Sequence, residues 1–576
     1  MNHLDFVKIL FLCAFSGLTF IGLGRRLVGK LDSVQNYGVS LALGIVIWGY
    51  LAMTLGVLKI FTQTNLFILL FGAFIFGFYN FKWEKIKIKI ELFSLSILLF
   101  ASAMLASTYL MTMQPPHTSD ELNYHFPQAQ WIVDSKRVDL TFGGHFFYGN
   151  IPKQMEIIYA SAIAMSGYPL AHAYHFLFLI ALLLSIWGIF YKQYGIRVAS
   201  IAVFMLLMYD DLTWNITSGF VDGAAFSLEI MGLLYGLSYI TGKAKIKELT
   251  LAGLLIGAGL TIKYSVAVTA FYIFILLIPQ WKKIWYYILP AALIGGFWYL
   301  KNMLWFGNPF YPMYFGHLGA NEEMYKAQID AIQAFGPKTW GYFKQLMSYF
   351  RDIPRMPVYL SLLLSPLSLV ISKSAKFTRL LFLYLLLYVP YWFYLGTHQH
   401  RFFAPAVITA LLLTAIILGQ IRAKWLVVVG LVVTLFMVRT AYFNQTVASY
   451  FWSTKFHLRE RQYGLGNLSQ DEFMHRWYGC YYDISRYMNS VEGEGKVTDN
   501  WSLGVEFNIP FYSVKHQFLS TNDLNTPYMY YRDETKVKYS DIYKSNILKN
   551  QKYEDEYKAK AILIKTIDDC YLYQRD

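Results

Sequence analysis

The chain is predicted to be an α-helical polytopic membrane protein that ends in a small C-terminal α/β soluble domain, and three features carry that expectation. Of its 576 residues, 56% are hydrophobic, 18% aromatic and only 15% charged, too little charge to cover a water-soluble surface of this size. Apolar runs recur, each bounded by Lys/Arg clusters or Pro/Gly breaks, as helices must be when lipid offers their backbone no partner. After about residue 442 these runs shorten, and charges and Asn return every few positions.

Taken in order, the first run, Phe6 to Gly24, ends at Arg25 and Arg26 rather than at a small-residue cleavage site. It is therefore expected to be a membrane helix and not a cleavable signal peptide. With a first crossing at 5 to 23, the others fall at 38 to 59, 63 to 79, 92 to 110, 170 to 190, 197 to 209, 220 to 240, 249 to 263, 264 to 279, 284 to 303, 357 to 372, 379 to 396, 402 to 420 and 425 to 441, about fourteen in all. The net charge of +14 would suggest nucleic acid in a soluble protein, but here it divides between short loops and the C-terminal part, so no nucleic-acid partner is expected.

Placing the basic clusters Arg25/Arg26/Lys30, Lys82/Lys85/Lys87/Lys89, Lys192/Arg197, Lys243/Lys245/Lys247, Lys282/Lys283, Lys373/Lys376/Arg379 and Arg422/Lys424 in the cytoplasm gives one consistent threading. It puts loops 111–169 and 304–356, and everything after about 442, outside the cytoplasm. Three regions follow: N-terminal membrane helices at 1–91, a central membrane region at 92–441, and an extracytoplasmic α/β domain at 442–576. Long ordered loops between membrane helices tend to carry a site.

The first loop opens Met113-Gln-Pro-Pro-His-Thr-Ser-Asp120-Glu121-Leu-Asn-Tyr124-His125. Pro115 and Pro116 stop the preceding helix at the membrane surface, which sets Asp120 and Glu121 near the interface, where a lipid-borne substrate would lie. Leu122, Phe126, Ala129 and Val133 then recur at helical spacing, predicting an amphipathic helix along the bilayer, and a second is expected from Pro152 through Met155, Ile158, Tyr159 and Ala162. Thr118 and Glu121 also fit a capping box, so the acidic pair could simply start a helix; a rigid helix start would position a carboxylate as well.

Elsewhere, Lys263 lies near a helix end and reads equally as an interfacial snorkelling lysine or a binding residue. His398, His400 and Arg401 crowd one short external turn. Asp222 stands at the membrane edge, as a functional acid or an ordinary loop acid. His125 and His145 read first as loop histidines, Gly307-Asn-Pro-Phe-Tyr-Pro312 as a rigid turn, and no spacing resembles a dedicated zinc site. Cys13 is a packing residue, whereas Cys480 and Cys570 both fall in the external domain, where an oxidising compartment permits a disulfide. Ser469 with Glu472 predicts a capped helix reaching about Asn489.

The segment Ser119-Asp-Glu-Leu-Asn-Tyr-His125 resembles the Asp-Glu motif in the first long external loop of GT-C glycosyltransferases, the superfamily of protein O-mannosyltransferases and aminoarabinose transferases. Pro152 with Glu156-Ile-Ile-Tyr159, Val221-Asp222-Gly-Ala, Thr261-Ile-Lys263-Tyr264, the Gly307 to Pro312 turn and His400-Arg401-Phe-Phe-Ala-Pro405 follow in the same order. Three crossings precede the helix that leads to the Asp-Glu loop, where simpler members have one.

The resemblance implies a GT-C-like membrane glycosyltransferase in a multi-pass bacterial inner or plasma membrane. It would move a sugar from a polyprenyl-phosphate donor to the hydroxyl of a glycan, lipid or protein acceptor at the extracytoplasmic face. Asp120 and Glu121 would be catalytic, Asp120 as base. Lys263, Arg401 and His400 would hold the donor phosphate. His125, Tyr124, Glu156 and Asp222 would bind substrate, and a divalent metal is neither required nor excluded. Two other classes stay open: an O-antigen-type polymerase or ligase using pyrophosphate-linked glycans, resting on the His398 to Arg401 cluster, and a lipid-sugar flippase, expected to show symmetric halves that this sequence lacks.

Overall fold

The computed structural model describes residues 3–81, 88–118, 120–140, 150–311, 338–348, 356–372, 375–396, 399–421, 458–478, 482–483, 487, 495–499, 516–519, 528–532, 561–567 and 570–575. They fall in two compact units: one joins Asn2–Gln114 to Gln128–Gly464, and the other joins Pro115–Pro127 to Leu465–Asp576.

The first unit is helical. It opens with α1 (His3–Val28), α2 (Val34–Val57), α3 (Gln63–Phe78), α4 (Leu92–Met111), α5 (Phe126–Ser135), α6 (Gln154–Ser166), α7 (Tyr168–Tyr194) and α8 (Ile196–Leu207). There follow α9 (Asp210–Thr217), α10 (Asp222–Ile240), α11 (Ile246–Leu260), α12 (Ala267–Leu277), α13 (Trp285–Phe306), α14 (Trp340–Ser348), α15 (Met356–Leu364), α16 (Ala375–Pro390), α17 (Ala404–Gln420) and α18 (Leu458–Gly464). Eight helical spans among the described residues are long and apolar enough to cross a membrane, and Gln63–Phe78, Ile196–Leu207 and Pro357–Ile371 are shorter apolar helices. Each expected crossing through 402 to 420 coincides with a helix, while the one at 425 to 441, Lys82, Lys85, Lys87, Lys373, Arg422 and Lys424 lie outside the described residues.

Burial divides the spans sharply. In α7 and α10, 89% of the apolar window is buried, against 17% in α4, so α7 and α10 form the centre and α4 keeps most of its surface for lipid. Helices approach most closely where side chains vanish: a Cβ on Gly24 would meet the Ser40 carbonyl oxygen at 1.8 Å, and one on Gly44 would meet that of Phe20 at 1.8 Å. Polar bonds add specificity in the interior. The Glu229 carboxylate of α10 accepts from Thr269 Oγ1 of α12 (2.5 Å) and the Tyr384 hydroxyl of α16 (3.1 Å). Arg25 donates to the Gly77 and Tyr79 carbonyls (2.6 and 2.9 Å), satisfying the C-terminal end of α3.

One expectation is corrected. Helix α6 is not amphipathic: every residue from Gln154 to Ile163 is buried. Its polar side chains find internal partners, with Gln154 Nε2 donating to the Val46 carbonyl (3.0 Å) and Ser161 Oγ accepting from Trp48 Nε1 (2.9 Å). The Gly307 turn does form, with Gly307 in the left-handed region (φ 65°) ending α13 and Asn308 Oδ1 accepting from the Phe310 N–H at 2.9 Å; Pro312 lies outside the described residues.

In the second unit, α19 (Gln470–Tyr478) starts on the expected capping box: the Ser469 N–H donates to Glu472 Oε2 (2.8 Å) and the Glu472 N–H to Ser469 Oγ (3.2 Å). Five strands, β1 (Gly495–Asp499), β2 (His516–Leu519), β3 (Tyr528–Arg532), β4 (Ala561–Ile567) and β5 (Cys570–Arg575), make one mixed sheet of order β2-β1-β3-β5-β4. β1 runs parallel to β2 and β3, whereas β5 is antiparallel to β3 and β4. Cys480 lies outside the described residues, and the proposed disulfide with it.

Candidate functional site

The Asp-Glu loop is built around Glu121. After α4 ends at Met111, the chain turns through Pro115 and Pro116 into a π-helical turn, Glu121–His125. Glu121 is fully buried, and its Oε2 accepts from the His117 N–H (2.8 Å), the Thr118 N–H (3.0 Å) and Thr118 Oγ1 (3.3 Å). One oxygen thus gathers three donors and fixes the turn, the capping role the sequence allowed. Asp120, one residue earlier, makes no capping bond and is half-buried. His125 is buried against the half-buried Tyr124, ring centroids 4.1 Å apart.

In the helical unit, Asp222, Lys263 and Arg401 come together. Asp222 is the first residue of α10 and its side chain is 3% exposed. Its Oδ1 accepts from the Lys263 ammonium, and its Oδ2 lies 3.7 Å from Arg401 Nη1. The Lys263 ammonium sits 3.7 Å from the centroid of the Phe402 ring, and the Arg401 guanidinium covers Phe220 at 4.9 Å and Phe402 at 4.8 Å. Lys263 reaches this place because α11 ends at Leu260 and the chain runs extended at 263 before the short 3₁₀ turn Tyr264–Val266. Arg401 is steered by Gln399, whose Oε1 accepts from its Nε at 2.8 Å. His400 turns elsewhere, with Nε2 donating to the Leu346 carbonyl at 3.0 Å.

The start of α10 is held by residues that the sequence did not single out. His175 Nε2 accepts from the Ala224 N–H (3.0 Å), which leaves the proton on Nδ1, 3.0 Å from both the Ser218 carbonyl and the Tyr159 hydroxyl. The Tyr159 hydroxyl in turn donates to the Phe220 carbonyl. The imidazole is therefore neutral and orients the residues that present Asp222.

A second basic group surrounds Glu156, which is buried in the first turn of α6. Lys153, just before it, is almost wholly buried. Burial, and after it the neighbouring Lys301, pushes its ammonium well below the usual lysine range, while Glu156 and Asp139 pull it back up. Lys301 donates to the Leu140 carbonyl at 3.0 Å and faces Trp298, Trp305 and Phe306. The clue in the sequence was slight: Lys153 follows Pro152 just as a surface lysine at a helix start would. His145 and His398 lie outside the described residues, and among those described no three His, Cys, Asp or Glu side chains come together to hold a metal ion.

No family model matches the sequence, and no curated protein does. The fold, however, is similar to that of ArnT from Cupriavidus metallidurans: with ArnT bound to undecaprenyl phosphate, the TM-score is 0.55 at 11% identity, covering 83% of this chain and 98% of that one. With the apo state the TM-score is 0.54 at 10% identity, over the same shares. The likeness is one of fold. The chain is accordingly an integral, multi-pass membrane protein.

Proposed function

We propose that this protein is a GT-C-type glycosyltransferase that moves a sugar from a polyprenyl-phosphate donor to an acceptor hydroxyl at the extracytoplasmic face, with the C-terminal α/β domain on that side. The observation that carries the proposal is the pair of cations, Lys263 and Arg401, held by the buried Asp222 in a membrane protein of ArnT-like fold. The ArnT structure with undecaprenyl phosphate makes a polyprenyl phosphate the natural donor to test.

The chemistry follows from charge. The acceptor oxygen attacks the anomeric carbon, Asp120 takes its proton, and the bond from that carbon to the phosphate oxygen breaks. A phosphodiester carries one negative charge and the departing monoester approaches two, so cations fixed beside it bind the transition state more strongly than the substrate. Lys263 and Arg401 less Asp222 leave one net positive charge, which suits a monophosphate better than a pyrophosphate and favours this donor over the polymerase or ligase alternative. Glu121 would hold the loop, leaving His125, Tyr124 and Glu156 toward the acceptor, and His400 would play the smaller part.

The test uses the full protein in liposomes with a labelled undecaprenyl-phosphate sugar and envelope extract as acceptor. Asp120→Asn is expected to express and fold as the parent does while losing about 10²- to 10⁴-fold in transfer, the range of general-base catalysis. Full transfer by that variant would reject the base assignment, and movement of the lipid-sugar without a covalent product would favour a flippase. Labelling of a cysteine at position 120 from the cytosolic side would overturn the orientation.

A further inference from the structure

The Asp-Glu loop has a partner far along the chain. His117 is buried, with its Nδ1 3.0 Å from the Pro115 carbonyl and its N–H committed to Glu121. Its ring lies 4.7 Å from that of Trp477 and meets Phe473 edge-on at 5.3 Å. Phe473 and Trp477 are one helical turn apart on α19, so a single face of that helix meets one imidazole. Phe473 is fully buried, whereas Trp477 is 37% exposed. Behind them the helix is fastened: the Ser469–Glu472 box fixes its start, and Tyr482 donates to Asp471 Oδ1 at 2.9 Å.

We infer that α19 is the element that positions Asp120, with Trp477 a positioning residue acting through His117. With the imidazole packed against two aromatic rings, the backbone at 117 and 118 is held as well, and both N–H groups converge on Glu121 Oε2. Asp120 lies between Thr118 and that carboxylate in the chain, so its backbone has little freedom left. Without the rings the bonds at Glu121 must order the loop unaided, and a carboxylate misplaced by 1 Å costs about 10²-fold in rate. The C-terminal unit thereby gains a task in the chemistry, which rests on the proposed transfer reaction.

Hydrogen exchange and transfer are measured together on the full-length protein, as parent, Trp477→Ala and Trp477→Phe. Trp477 is chosen because a side chain over one-third exposed can be shortened without opening the core. The amides of 117 and 118 are expected to exchange about tenfold faster in Trp477→Ala and close to the parental rate in Trp477→Phe, which keeps a ring against His117. Turnover should fall about 10²-fold in Trp477→Ala with donor KM unchanged, and Trp477→Phe should recover most of it. Parental exchange in Trp477→Ala overturns the proposal, as does faster exchange with undiminished turnover. If the parent itself transfers no sugar, the exchange result still decides whether α19 holds the loop, and the failure belongs to the proposed reaction.

Discussion

Asp222 is the first residue of α10, where a carboxylate both favours the helix dipole and faces two cations. Asp222→Asn preserves its shape and leaves Lys263 and Arg401 without their common counter-charge. Both cations keep a fifth to a quarter of their surface exposed, so the loss should be about 1–3 kcal/mol rather than that of a sealed pair. The expected result is a markedly shorter half-life of the variant in detergent at fixed temperature, and a half-life equal to the parent's would show that the ion cluster does not stabilise the fold. At this scale the sequence was legible only in part. Pro115 and Pro116 mark the place of Asp120, and a histidine-rich turn draws the eye to Arg401. The link from Asp222 to Lys263 spans 41 residues of chain, which no local spacing encodes. Lys153 and His175 escaped for the same reason, since burial and partners come from the packing of other helices around them.

At the scale of elements, the crossing of α1 and α2 rests on the absence of side chains at Gly24 and Gly44. A methyl group at Gly44 would overlap a backbone oxygen of α1, which no rotamer change can relieve. Gly44→Ala is expected to lose about 1–3 kcal/mol and to raise the aggregated fraction on size-exclusion chromatography. Gly72→Ala, with nothing within 4 Å of its added carbon, should elute as the parent does; identical profiles for both would exclude the close crossing. Helix positions were readable because bilayer thickness imposes a length on every span. Helix neighbours were not, and α6 shows why: Gln154, Glu156 and Ser161 look solvent-facing until Val46 and Trp48 of α2 are brought against that helix.

Over the whole molecule, α4, with only 17% of its apolar window buried, leads directly into the chain that carries Asp120. Its twenty residues rise about 30 Å, close to the hydrocarbon thickness of a typical membrane. Both ends are attached to protein. Glu91 is bidentate with Arg197 of α8 (3.0 and 3.2 Å), while the Thr112 carbonyl accepts from His172 (3.1 Å) and Gln114 Nε2 donates to the Thr217 carbonyl (3.0 Å). The Glu91 pair is 32% and 40% exposed and the opposite anchors are buried, so stretching would act first on the former. Hydrophobic mismatch therefore becomes a lever: with acyl chains much longer or shorter than the span, exchange should quicken around residues 88–95 and stay slow around 109–114. Equal exchange across all chain lengths would show that the strut does not feel the bilayer. If it does, the lipid around this protein acts as a mechanical load, and the salt link at one end serves as the fuse that spares the acidic turn at the other.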